Sequence, residues 1–261
     1  MNTLRCESKA SLVFAVVMNA KRRIAIALLL FSAWSPSQAL AFLLPADFIL
    51  KRTLEKHYLR TYDGMSIVVA SELTAPGSVR AERWYLKKPS MFRISLENKS
   101  DALYVQNKEQ AKLSTEGEEI PEQLMKLLAY LWVPEKESHK NALRDLLINL
   151  KSAEIDSETV SIKRDAQHIV YVIGALPWEN QKSQIWIDKQ SFIPRRYRLV
   201  QTKGTEITAW EIQFKAYEKT EFGVSFPTRL EIYKNKKLQI TRSLKDIQST
   251  KTLPNSLFDI S

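Results

Sequence analysis

The 261-residue chain has a single cysteine, Cys6, so it can form no disulfide within itself. With only six glycines it offers no Gly-rich phosphate loop and no Gly-x-Ser-x-Gly nucleophile turn. Its three histidines, His57, His139 and His168, have no partners at metal-ligand spacing. No metal site and no cofactor are expected. His168 stands in an alternating strand pattern and reads as a structural or surface residue. The acids are scattered: Glu116, Glu118 and Glu119 read as a solvated loop, and Asp63-Gly64 as a turn. No nucleophile–base pair is visible, which argues against an enzyme, including a hydrolase. No apolar run approaches the roughly 20 residues that a membrane-spanning helix needs.

What is present begins with a leader. Lys21-Arg22-Arg23 precedes the apolar run Ile24–Trp34, and Ala39-Leu40-Ala41 supplies a small-x-small cleavage site. Residues 1–41 are therefore expected to be a signal peptide cut after Ala41, with Met18 as an alternative start. Residues 42–261 are expected to be one exported, periplasmic domain. No cysteine stands at the cleavage site to carry a lipid. Leaving out the leader's five basic residues and one acid, 34 basic residues face 28 acidic ones, a net +6. That balance suits a solubilising surface or attraction to anionic lipid head groups, and nucleic acid is not an expected partner. Asn98-Lys99-Ser100 fits a glycosylation sequon and carries no weight in such a protein.

The chain is organised around residues 80–97. Phe92, Ile94 and Leu96 fall on one face and Arg93, Ser95 and Glu97 on the other, the period of two of a half-buried strand. Trp84 and Leu86 alternate with Arg83 and Tyr85. Pro89 has no backbone N–H and breaks the stretch at Lys87-Lys88-Pro89. The stretch reads as two strands broken there, a long bent run of the kind that can curl a sheet.

The remainder follows in order. Phe48, Ile49, Leu54 and Tyr58 recur at helical spacing between Asp47 and Arg60, with Asp47 as cap. Short strands are expected at 65–73, 102–106 and 111–114. Pro121 opens a second helix with the stripe Leu124, Leu127, Leu128 and Leu131, extended by Met125 and Trp132 and stopped at Pro134. A third carries Leu143, Leu146, Leu147 and Leu150. The last hundred residues alternate again: Trp210, Ile212 and Phe214 against Glu211, Gln213 and Lys215; Phe226, Leu230 and Ile232 against Arg229, Glu231 and Tyr233. Helix, about five strands, two helices and about six strands make an α+β fold. Its strands are antiparallel, because their connections have hairpin length.

Several pieces resemble the LolA-type periplasmic lipoprotein carriers. The segment Trp84-Tyr85-Leu86-Lys87-Lys88-Pro89-Ser90-Met91-Phe92 is similar to their aromatic, apolar, basic, basic, Pro, x, x, Phe run. Ile185-Trp186-Ile187-Asp188 followed by Pro194, then Gly223-Val224-Ser225-Phe226-Pro227, and finally Leu257-Phe258-Asp259-Ile260 agree with later pieces in the same order. The resemblance implies an unclosed antiparallel β-barrel of about eleven strands, wrapped over and capped by about three helices. It implies a carrier that holds acyl chains of lipoproteins or a related lipid and moves them toward the outer membrane, between an inner-membrane donor complex and an outer-membrane acceptor. Each buried CH₂ is worth roughly 0.8 kcal/mol, so an acylated anchor needs such a shelter to cross water. It places Phe92 at the cavity mouth and Lys88 at a lid latch where the family usually has arginine; Lys cannot make the planar two-bond contact. Arg83 or Arg93 is a substitute latch. The expected cavity lining is Trp84, Leu86, Phe92, Ile94, Trp210, Ile212, Phe214, Phe226, Leu230, Leu128 and Leu147, and the expected state is a monomer. The alternative on this scaffold is a lipid-sensing regulatory protein of the envelope.

Overall fold

The computed structural model describes residues 43–260 except 57–62, 74–78, 98–101, 108–109, 114–119 and 133–138. The leader, Met18, Cys6, His57, the sequon at Asn98, the acids 116–119 and the stop at Pro134 lie outside the described residues.

Among the described residues three helices, α1 (Ala46–Lys56), α2 (Glu122–Trp132) and α3 (His139–Ser152), accompany twelve strands rather than about eleven. The first five are β1 (Gly64–Leu73), β2 (Val79–Lys87), β3 (Met91–Leu96), β4 (Ala102–Gln106) and β5 (Ala111–Leu113). After α2 and α3 come β6 (Val160–Asp165), β7 (His168–Ile173), β8 (Gln184–Asp188), β9 (Pro194–Lys203), β10 (Glu206–Lys219), β11 (Ser225–Lys234) and β12 (Lys237–Thr250). A 3₁₀ turn at Asn255–Phe258 closes the described chain.

All twelve strands form one open antiparallel sheet in the order β5-β4-β3-β2-β1-β12-β11-β10-β9-β8-β7-β6. The order has a simple origin. One meander walks from β1 out to the β5 edge, and a second walks from the β6 edge back inward. They meet where β1 pairs with β12, Met65 opposite Ser249 and Leu73 opposite Ile240. Between the edges the chain must cross one face of the sheet, and it does so as α2 and α3. Leu124, Leu127, Leu128 and Leu131 of α2 and Leu146 and Leu150 of α3 are buried there with Ile49, Leu50 and Leu54 of α1 in one core. Alternating strands thus have an inner face under the helices and an outer face, and burial of the inner side chains supplies the main driving force for the fold.

Residues 80–97 are two strands broken at Lys87-Lys88-Pro89, as their pattern predicts, and they fold back on each other as a hairpin rather than running on as a long bend. Lys87 pairs with Met91 across a cis Lys88–Pro89 peptide, and Trp84 lies opposite Ile94. Two of the six glycines serve close approaches. A Cβ at Gly64 would stand 2.3 Å from the Leu86 carbonyl oxygen, and one at Gly174 (φ +103°) 2.6 Å from that of Ser183.

Candidate ligand-binding interior

The inner face is built in rows that run across the strands. Register sets Phe214, Leu230, Arg242, Ser71 and Arg80 side by side on β10, β11, β12, β1 and β2. A neighbouring row carries Ile67, Trp84, Ile94 and Tyr104. Trp84, Leu86, Phe92, Ile94, Trp210, Ile212, Phe214, Phe226, Leu230 and Leu128 are all buried in a single apolar cluster. Leu147 stands apart. It is only partly buried, and with Leu143 and Ile148 it lines an external groove of about 600 Å³ on α3.

The centre of this cluster is a side chain from the helical layer. The Trp132 ring, at the end of α2, lies 4.6 Å from the Phe226 ring centroid, 6.1 Å from Phe214 and 6.4 Å from Trp84. Trp84 meets Phe92 edge-on at 5.3 Å, and Phe92 meets Tyr104 at 5.6 Å. The resemblance places Phe92 at a mouth; in the structure it is fully buried between those two rings. Trp132 therefore occupies the volume at the middle of the aromatic floor. Sequence patterning shows it only as the last residue of a leucine stripe, because reach across to β10 and β11 is not a local property.

Among the described polar atoms of this interior, Trp132 Nε1 and the Tyr197 hydroxyl make no hydrogen bond. A buried donor left unmade costs about 1–3 kcal/mol. Burial also pushes the Tyr197 hydroxyl well above the usual phenol range, so it stays a neutral donor. By contrast the Tyr104 hydroxyl donates to Gln106 Oε1 at 2.7 Å, and Gln106 Nε2 donates to the Ser90 carbonyl beside Pro89 at 3.1 Å.

At the β1–β2 end, the inner face carries a polar cluster. Glu82 accepts from Ser71 Oγ at 2.7 Å, from Trp84 Nε1 at 2.8 Å and from Arg80 Nη2 at 3.1 Å, while Arg242 Nε lies 3.3 Å away. Burial alone would raise the Glu82 carboxyl; Arg242, these hydrogen bonds and Arg80 outweigh it and hold it below the usual range. The Arg242 guanidinium also lies 5.3 Å from the Trp84 ring centroid.

The latch candidates Lys88 and Arg93 lie apart from this centre. Lys88 is only 7% exposed. Arg93 is on the outer face, where Nε donates to Ser95 Oγ at 2.7 Å and Nη1 to the Leu257 carbonyl at 2.9 Å, tying down the C-terminal turn. Lys87 Nζ donates to the Leu253 carbonyl and to Asn255 Oδ1. His168 Nδ1 lies 2.9 Å from Asp188 Oδ2 at the β7–β8 ladder. No group of three or more His, Cys, Asp or Glu among the described residues is placed to hold a metal ion. No described helix is long and apolar enough to cross a membrane.

A twelve-stranded open antiparallel sheet with three helices on its inner face is a LolA-like fold. It superposes on an outer-membrane lipoprotein-sorting protein domain from Vibrio parahaemolyticus with TM-score 0.50 at 14% identity, covering 82% of this chain and 97% of that one. A DUF1329 family protein from Desulfovibrio piger gives TM-score 0.50 at 14% identity, over 83% and 98%. A LolA superfamily protein from Nitrosomonas europaea gives 0.49 at 11% identity, over 84% and 99%. No family model and no curated protein sequence matches the chain.

Proposed function

We propose that this chain is an exported lipid carrier. Residues 42–261 form its single domain after removal of a leader at Ala41, and it acts as a monomer without catalysis. Its cargo is the acyl chains of a lipoprotein or a related lipid, taken from an inner-membrane donor and passed toward the outer membrane. The observation that carries this reading is Trp132. A helix at the cover of an open sheet places one large ring on an aromatic floor, with its N–H unsatisfied. A ring held by apolar contact alone is exchangeable for an acyl chain, which buries equivalent area. The Trp132 and Tyr197 donors then meet the ester or amide oxygens of the cargo. Trp84, Leu86, Phe92, Ile94, Trp210, Ile212, Phe214, Phe226 and Leu230 form the floor, with Leu128 and Leu147 on the cover and Lys88 or Arg93 holding the rim. The lipoprotein-sorting domain from Vibrio parahaemolyticus shares the fold and adds weight to a lipoprotein cargo.

The test is native mass spectrometry of the exported protein, followed by denaturing lipid analysis. A mass increment that resolves into acylated peptide or lipid is the expected result. An empty mass, with no uptake of offered lipoprotein and recovery of a single inner-membrane regulator in pull-downs, would move the protein to the lipid-sensing class.

A further inference from the structure

The outer face of β6–β11 carries a second cavity that the carrier reading leaves unused. It is a groove of about 360 Å³. Its charged lining is Lys163, Arg196, Arg198 and Lys236 against a single carboxylate, Glu211. Arg196 is held by Asp165 and Glu211, each at 3.2 Å, and Arg198 shares Glu211 at 3.4 Å. Glu231, beside the groove through Tyr233, is engaged by Arg229 at 2.8 Å. Lys163 and Lys236 have no carboxylate partner among the described residues: Lys163 Nζ donates to the Pro177 carbonyl at 3.1 Å and lies 4.9 Å from the Trp186 ring centroid. Arg198 Nε has no hydrogen-bond partner. The groove thus has an excess of donors and positive charge, the chemistry that receives a phosphate oxyanion.

Its rim is apolar and exposed. Trp178, 71% exposed, sits in the β7–β8 loop. That loop is pinned to the groove on either side of it, by Lys163 Nζ on the Pro177 carbonyl and by the groove residue Gln184, whose Nε2 donates to the Glu179 carbonyl at 3.2 Å. Ile207, 57% exposed, shares the outer face of β10 with the groove residues Ala209 and Glu211. An exposed indole next to a cationic recess is the arrangement that rests at a membrane–water interface, ring among the head groups and cations on the phosphates.

We infer that this end of the outer face docks on an anionic phospholipid surface, with head-group phosphate in the groove and Trp178 and Ile207 in the interface. The site is independent of the lipid-carrying interior.

Co-sedimentation of the purified protein with vesicles tests it. Binding to mixed phosphatidylglycerol–phosphatidylcholine vesicles, falling with salt and absent on pure phosphatidylcholine, is expected. Lys236→Gln on the exposed turn should weaken it about fivefold, and Trp178→Ser should weaken it further. Lys51→Gln, an equal charge change on exposed α1, should leave it unchanged. Equal loss in Lys51→Gln and Lys236→Gln overturns the inference, since net charge would then explain all binding. So does binding of inorganic phosphate without vesicle binding, which would make the groove a site for a free anion. Loss of vesicle binding with intact acyl uptake in the interior, or the reverse, separates this surface from the carrier function.

Discussion

The two faces of one sheet use the same alternating strands for different physics. On the inner face, β10 presents Trp210, Ile212 and Phe214 to the helices, and the contacts are ring on ring. One residue out of phase, Glu211 and Gln213 face outward, where Gln213 Nε2 donates to Glu211 Oε1 at 2.6 Å and Arg196 and Arg198 close on the same carboxylate. Even the tryptophans differ. Trp132 has an unmade N–H inside, whereas outer Trp186 donates to Gln184 Oε1 at 2.7 Å and lies 4.1 Å from the Arg196 guanidinium carbon. Non-directional apolar contact can be exchanged for a lipid without loss, but a hydrogen-bonded ionic ladder cannot. On the proposed carrier reading the exchangeable part is the aromatic interior around Trp132, while the ionic ladder outside and the Glu82–Arg242 pair inside are scaffold.

Substitutions can break this contrast in order of effect. Glu82→Ala leaves Arg242 buried without its carboxylate and should cost about 3–5 kcal/mol, read by chemical denaturation. Trp132→Ala should cost a similar 3–5 kcal/mol yet raise affinity for an acyl probe, because it vacates the floor. A loss of both stability and binding would show the ring to be framework, not stopper. Gly174→Ala, at φ +103° against Ser183, should cost about 1–3 kcal/mol. On the outer face Asp165→Asn removes a partly exposed partner of Arg196 and should cost under about 1 kcal/mol, with no change in lipid uptake.

Acid sharpens the same comparison. The Glu82 carboxyl lies below its ordinary 4.5 in the folded protein. Its stabilisation is therefore complete above that value and is lost as pH falls through the lowered folded value. The wild-type melting temperature should fall across this window more steeply than that of Glu82→Gln. Parallel curves would mean that the Glu82–Arg242 pair does not couple to folding.

Much of this was legible before any coordinates. The hairpin break at Pro89, the face shared by Phe92 and Ile94, and the leucine stripes of α2 and α3 follow from periods of 2 and 3.6. That the two limbs of 80–97 pair with each other instead of continuing as a long bend was not legible, because Pro89 marks a break without saying which way the chain turns. Simple alternation would set Leu238 on the buried face with Ile240 and Leu244, yet it is exposed because the β11–β12 register shifts between Ile232 and Tyr233.

By itself the sequence determined which side chains must be buried, since one face per strand and one stripe per helix are written in local spacing. Tertiary structure alone decided what they are buried against. The pairing of β1 with β12, the Arg242–Glu82 contact, the reach of Arg93 to Leu257 and the seat of Trp132 on Phe226 all join residues about a hundred or more positions apart. Such contacts depend on the whole order of strands, and no local period encodes that order.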